Sequence, residues 1–207
     1  IASGGGALET LARIDLSELD SRLADCRIDV ACDVTNPLTG PQGASAVFGP
    51  QKGATAQMID RLDSGLRHYA RIIARDLDID VLSLEGGGAA GGMGAALYAF
   101  CGAQLRPGIE IVTDALQLAE RVADADLVIT GEGRIDSQTI HGKVPVGVAR
   151  VAKRFNVPVI GIAGSLTADV GVVHQHGLDA VFSVLYTICT LDEALANAAA
   201  KIGRAHV

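Results

Sequence analysis

No tryptophan occurs among the 207 residues of this sequence, and only 3% of them are aromatic. The interior therefore has to be built mainly from Ala, Val, Ile and Leu. No apolar run reaches the roughly 20 residues that a membrane-spanning helix requires. Positive charge is scarce as well: 17 Lys and Arg stand against 24 Asp and Glu, a formal net charge of −7. A broad nucleic-acid surface needs clustered cations, so neither nucleic acid nor membrane is expected as a partner. A few converging cations would still serve a small anionic substrate. Cys26, Cys32, Cys101 and Cys189 have neither a CxxC spacing nor the density of a secreted disulfide framework. Reduced thiols in a cytoplasmic protein are the expectation. The start, Ile1-Ala2-Ser3-Gly4-Gly5-Gly6, lacks Met, a charged segment and an apolar stretch. No signal peptide is read there, and the chain is expected to be cut from something longer.

What the sequence does have is glycine, 25 residues of it, and a 49% hydrophobic content. That suffices for one sizeable domain or two small ones. Ser17 to Leu23 reads as a short helix and Ile28 to Ala31 as a short strand. Asp33 to Lys52 reads as a long loop rich in Gly and Pro, a kind that is usually functional or disordered. Met58, Leu62, Leu66, Tyr69 and Ile73 recur at helical spacing between charged residues, which predicts an amphipathic helix. Val81 to Leu84 reads as a strand before a glycine loop, followed by a small-residue helix over Ala95 to Phe100. Arg106-Pro107-Gly108 breaks the pattern, and a domain boundary is placed there. Beyond it, strands near 127–130, 158–162 and 180–184 alternate with helices near 144–155, 168–175 and 191–202. Such alternation predicts a parallel sheet with helices on its faces.

The densest chemistry lies in residues 131–143, read as a polar loop between two buried strands. Ligands of open α/β sheets bind outside the carboxyl ends of the strands. Glu132 and Asp136 can act as base or metal ligand, Arg134 and Lys143 can offset phosphate charge, and Ser137 and Thr139 add donors. Phosphoryl transfer needs this kind of positioning, plus a carboxylate near the attacking hydroxyl. Gly142-Lys143 would place an ammonium beside the N-terminus of the next helix. The bland alternative is a solvated loop whose charges pair among themselves for about 0–1 kcal/mol each. The glycine loop matches G-x-G-x-x-G at Gly86, Gly88 and Gly91, with Glu110 near the distance of a ribose-binding acid. Tight packing explains its glycines equally well. Asp33-Val34-Thr35-Asn36-Pro37, at the end of a short strand, can hold a cation or a hydroxyl, or simply start an Asx turn. Lys52 is either a phosphate cation or a solvated side chain. His174 and His176, lacking companions at metal spacing, read as a helix end closed by Gly177. His141 is a lesser candidate for a base than Asp136.

Several blocks then carry a resemblance. They are Asp33-Val-Thr-Asn-Pro-Leu38, Gly43-Ala-Ser45, Phe48-Gly-Pro-Gln-Lys-Gly53 and Gly88-Ala-Ala-Gly-Gly-Met-Gly94. Gly131-Glu-Gly-Arg-Ile-Asp-Ser-Gln-Thr139, Gly142-Lys-Val-Pro145 and Ile160-Gly-Ile-Ala-Gly-Ser165 complete the series. In order and over nearly the whole chain, they resemble the type I glycerate kinases. The resemblance is strongest to bacterial enzymes that phosphorylate D-glycerate at its 2-hydroxyl with ATP and a divalent cation such as Mg2+. It implies an α/β fold of two domains, one Rossmann- or flavodoxin-like and one inserted within it. Residues 1–105 would be part of the inserted domain, and 106–207 the C-terminal half of the Rossmann-like one. The N-terminal blocks of the family are absent, so a C-terminal fragment is expected, and Gly203-Arg-Ala-His-Val207 departs from the family's closing helix.

Under this reading Asp136 is general base or metal ligand, and Glu132 supports the divalent ion. Arg134, Lys143 and Lys52 bind the glycerate carboxylate or the ATP phosphates. Asp33 and Asn36 line a cleft between domains. Gly88, Gly91, Gly92, Gly131, Gly133, Ser137 and Thr139 complete the nucleotide and substrate contacts. The partners implied are glycerate and ATP, with a second copy of the chain left open. Two other classes stay in view: a nucleotide-binding oxidoreductase fragment using the glycine loop, and a truncated domain without catalysis.

Overall fold

The longest element is dictated by period. Leu66, Tyr69, Ala70 and Ile73 fall at helical spacing and are all buried, and the helix that carries them, α2, runs Ala56–Leu77. Thr55 caps its start, the Thr55 hydroxyl accepting the Met58 N–H at 3.3 Å. Asp78, in the left-handed region at φ 58°, ends it. The computed structural model describes residues 1–185 and 187–204. They form an α/β fold with two parallel sheets, and the chain divides into two compact units, Ile1–Gly108 and Ile109–Val207.

In the first unit, β1 (Asp29–Ala31) pairs in parallel with β2 (Gln104–Arg106), with Val30 opposite Leu105. Between them the chain makes α1 (Ala44–Phe48), α2 and α3 (Met93–Cys101). The core gathers Leu38, Leu66, Tyr69, Ile73, Val81 and Ala95, and Phe100 meets Tyr69 edge-on at 6.2 Å. Three sequence expectations change here. Ser17 to Leu23 holds no α-helix; a 3₁₀ turn at Ser21–Asp25 follows the Asp20 cap instead. Asp33 to Lys52 is not structureless, since it contains α1 and a 3₁₀ turn at Pro50–Lys52. Val81 to Leu84 is no strand. Asp80 accepts the Leu82 N–H at 2.8 Å and the Ser83 hydroxyl at 2.5 Å, bending the backbone into an Asx turn while Val81 drops into the core.

In the second unit, α4 (Gly108–Ala115) begins at the division point, and α5 (Leu118–Val122) precedes the sheet. Strands β3 (Val128–Ile135), β4 (Val159–Leu166) and β5 (Ala180–Ser183) are parallel in the order β3-β4-β5. Helix α6 (Val144–Lys153) connects β3 to β4, and a 3₁₀ segment at Val170–His176 connects β4 to β5. Val146, Ala149 and Ala152 of α6 bury one stripe against Ile135, Val159, Val173 and Leu178. Two helices, α7 (Leu191–Ala196) and α8 (Ala198–Arg204), stand where one was expected. The Asn197 side chain donates to the Glu193 carbonyl at 2.9 Å at the break between them. Residues 205–207, the end of the stretch set apart from the family's closing helix, lie outside the described residues. No helix among the described residues is long and apolar enough to cross a membrane.

The main correction concerns 131–135. These residues are strand, not loop: β3 continues with Thr130 opposite Gly161, Glu132 opposite Ala163 and Arg134 opposite Ser165. The polar loop therefore begins only at Asp136.

Candidate functional site

Because side chains alternate along a strand with period two, Glu132 and Arg134 project from the same face of β3, and Asp136 continues the series in extended backbone at φ −147°. A 3₁₀ turn, Ser137–Ile140, then leads through Gly142 to Lys143, the residue that caps α6. This turn brings the Lys143 ammonium back to 3.4 Å from Asp136 Oδ1 and 3.9 Å from Glu132 Oε1. Arg134 Nε donates to Asp136 Oδ2 at 2.8 Å. Two cations and two carboxylates thus meet at the carboxyl end of β3 beside the start of α6. That is the place where α/β sheets receive ligands and where a helix dipole favours negative charge.

The four groups are not equivalent. Asp136 is only 5% exposed, whereas the Arg134 side chain is 63% exposed and that of Lys143 35%. Asp136 Oδ1 also accepts the Gln138 N–H at 3.0 Å and the Thr139 hydroxyl at 3.4 Å. Thr139 Oγ1 in turn accepts the Asp136 N–H at 3.1 Å, closing a capping box. Burial pushes the Asp136 carboxyl up, but Lys143 and Arg134 outweigh it and hold the group below the ordinary carboxylate range. Glu132 Oε2 is buried and has no hydrogen-bond partner among the described residues. Asp169 accepts the Thr167 hydroxyl, and hydrogen bonding from Ser137, then from Thr167, holds its carboxyl below the usual range. Asp169 had no signal in the sequence, being 32 residues from Ser137 and outside every motif.

The expected residues separate into groups. Glu132, Arg134, Asp136, Ser137, Thr139 and Lys143 come together, and Gly131 and Gly133 lie on the same strand. Gly131 and Gly133 also line a cavity of about 810 Å³ in the second unit, walled by Ile162, Leu185 and Leu195. Thr139 is fully buried, and its hydroxyl is committed to Asp136, not to a ligand. In the first unit, Lys52 and Gly91 line a smaller cavity of about 220 Å³ with Ser45 and Phe48. Asp33 accepts the Gly108 N–H at 2.8 Å, and Asn36 donates to the Gln42 carbonyl at 2.8 Å. His174 and His176 end the 3₁₀ segment before Gly177, with His174 Nδ1 2.8 Å from the Leu178 carbonyl.

The glycine loop lacks the framework of a dinucleotide fingerprint. No strand immediately precedes it, and Gly86 and Gly88 are held by packing, although Gly91 is not. A Cβ on Gly88 would lie 2.3 Å from the Pro37 carbonyl oxygen, and one on Gly86 would lie 2.8 Å from Cys32 Sγ. Gly92 caps α3 in the left-handed region at φ 101°.

Among the described residues no three His, Cys, Asp or Glu side chains converge on one point. Both oxygens of Asp136 are taken by cations and donors, and Glu132 Oε2 is sealed from solvent. This donor set does not make a divalent-cation site by itself.

A family model described as the glycerate kinase family matches residues 1–206. The chain belongs to that family. It is 66% identical over 205 residues to the glycerate 2-kinase of Escherichia coli K12, covering 99% of this chain and 54% of that protein. Identity to the glycerate kinase of Bacillus subtilis 168 is 55% over 204 residues, covering 99% of this chain and 53% of that protein. A crystal structure described as a glycerate kinase 2 from Salmonella typhimurium LT2 superposes with a TM-score of 0.82 at 74% identity. It covers 98% of this chain and 52% of that one. The chain thus spans about half the length of the glycerate kinases it matches.

Proposed function

We propose that the protein carrying this chain transfers the γ-phosphoryl group of ATP to the 2-hydroxyl of D-glycerate, forming 2-phosphoglycerate and ADP. The single observation that carries this reading is the cluster at the end of β3. Its two cations are its most exposed members, and a buried carboxylate fixes both from beneath. Phosphoryl transfer asks a protein mainly to position its reactants and to offset charge on the transferring group. Arg134 and Lys143 do the latter here, next to the N-terminus of α6. Glycerate enters as a monoanion, so one cation engages its carboxylate while the other faces the phosphate. The larger cavity is of nucleoside-binding size, as small-molecule sites commonly enclose about 300–1,000 Å³. Mg2+ would arrive on the nucleotide's own phosphates.

We further assign Ile1–Gly108 to part of the family's inserted domain and Ile109–Val207 to the C-terminal half of its Rossmann-like domain. The three-stranded parallel sheet of the second unit supports this. The four free cysteines fit a reducing, cytoplasmic setting. The packed glycine loop speaks against the oxidoreductase alternative.

The test compares the chain as it stands with the chain joined to the stretch of the Escherichia coli relative that it does not match. ADP release is followed with D-glycerate, L-glycerate and glycerol, and the product is identified by phosphorus NMR. Turnover with D-glycerate and a 2-phosphate product are expected. Lys143→Ala should lower kcat/KM by about 100-fold or more, as loss of one charge-stabilising group does elsewhere. Absence of glycerate-dependent turnover in both forms would remove the assignment.

A further inference from the structure

We infer that Thr139 is a positioning residue of this site, acting through Asp136 to hold Lys143 and Arg134 toward the anionic reactant. The inference rests on the kinase reading above. Thr139 is 0% exposed and reaches no substrate. Its hydroxyl has two bonds, and both go to one residue: it accepts the Asp136 N–H at 3.1 Å and donates to Asp136 Oδ1 at 3.4 Å. The Gln138 N–H adds a second bond to that oxygen at 3.0 Å. Together these bonds set the rotation of the carboxylate. What remains of it points outward, Oδ2 to Arg134 Nε at 2.8 Å and Oδ1 to Lys143 Nζ at 3.4 Å.

Without the Thr139 hydroxyl, the Asp136 N–H is buried without an acceptor, and the carboxylate loses one of its two fixed donors. Both cations hang from that carboxylate, so both lose their reference point. Misplacing a catalytic group by about 1 Å can cost on the order of 100-fold in rate. The turn keeps its own backbone bonds, the Thr139 N–H to the Asp136 carbonyl at 3.0 Å and the His141 N–H to the Gln138 carbonyl at 3.1 Å. A change at Thr139 therefore reorients the carboxylate while the turn and its strands persist.

The experiment uses whichever form of the protein shows D-glycerate-dependent ADP release. Thr139→Val and Thr139→Ser are each made alone and in a Lys143→Ala background. Thr139→Val alone is expected to lower kcat by about tenfold or more, and Thr139→Ser to restore it to within about threefold. In the Lys143→Ala background, Thr139→Val should cost clearly less than it does alone, because one of the two cations it positions is already gone. A purely structural role would leave the valine penalty the same in both backgrounds, and that result overturns the inference. So does an unchanged kcat in Thr139→Val. If the valine variant does not fold, Thr139→Ala carries the same comparison. Should no form turn over D-glycerate, the kinase reading falls and takes this inference with it. An active parent with a full-rate Thr139→Val variant rejects the role of Thr139 alone.

Discussion

Replacing Ile135 by alanine tests the extension of β3 directly. Ile135 is 0% exposed and packs with Val146, Ala149, Val159 and Val173, which are themselves 0–1% exposed. The substitution removes three carbons, worth about 0.8 kcal/mol each by transfer, or roughly 2.4 kcal/mol. A residual cavity adds to this, because neighbours packed so closely have little room to collapse, and a loss of about 3–4 kcal/mol is expected. The control lies on the same strand: Ile129 is 54% exposed, so Ile129→Ala should cost under about 1 kcal/mol. Urea unfolding followed by far-ultraviolet circular dichroism reads both, as a fall in midpoint at unchanged slope. Equal costs for the two substitutions would refute the reasoning. They would return residues 131–135 to the solvated loop that their composition suggests.

Further outcomes follow from the same geometry. Gly88→Ala puts a methyl group 2.3 Å from the Pro37 carbonyl oxygen and should cost about 1–3 kcal/mol. Gly133→Ala meets nothing within 4 Å and should leave the melting temperature unchanged or raise it. A Gly88→Ala variant that melts normally yet loses NADH binding would revive the oxidoreductase reading. At low pH, Asp76 matters: the Arg75 guanidinium, then the Ile14 N–H, hold its carboxyl at about 2 against an ordinary 3.8. A depressed carboxyl stabilises the fold above its unfolded pKa, and the benefit is lost as pH falls through the folded value. The stability gap between the wild type and Asp76→Asn should therefore close between pH 3.8 and about 2. A gap that persists unchanged at pH 2 would contradict this.

The legible parts of the fold were those with a strong period. Helix α2 announced itself through Leu66, Tyr69 and Ile73, and β4 through its β-branched run, because each buries one continuous face. Strand β2 did not: three residues ending beside Pro107 carry no alternation, and only pairing with β1 makes them extended. The opposite error arose at Val81 to Leu84, where an apolar pattern met an Asx turn and the local hydrogen bonds of Asp80 prevailed. Helices α4 and α5 were not foreseen at all. They are short, and α5 follows Gln117 in the left-handed region, a conformation that Gln does not advertise.

The candidate site was legible in its residue types and misread in its backbone. Gly131-Glu132-Gly133-Arg134 combines two glycines with two charges, a composition depleted in strands, and so it reads as loop. Yet the charges stand two apart, at 132, 134 and 136, and that is the period of a strand with one charged face. A loop has no reason to keep it. The spacing puts Glu132, Arg134 and Asp136 in one row, and the 3₁₀ turn needs only to return Lys143 to that row to complete the cluster. Burial then sorts the roles. The acid expected to act on substrate is the least exposed of the four and has both oxygens engaged. Its oxygens hold the two cations in place, and in the function proposed above those cations face the incoming anion.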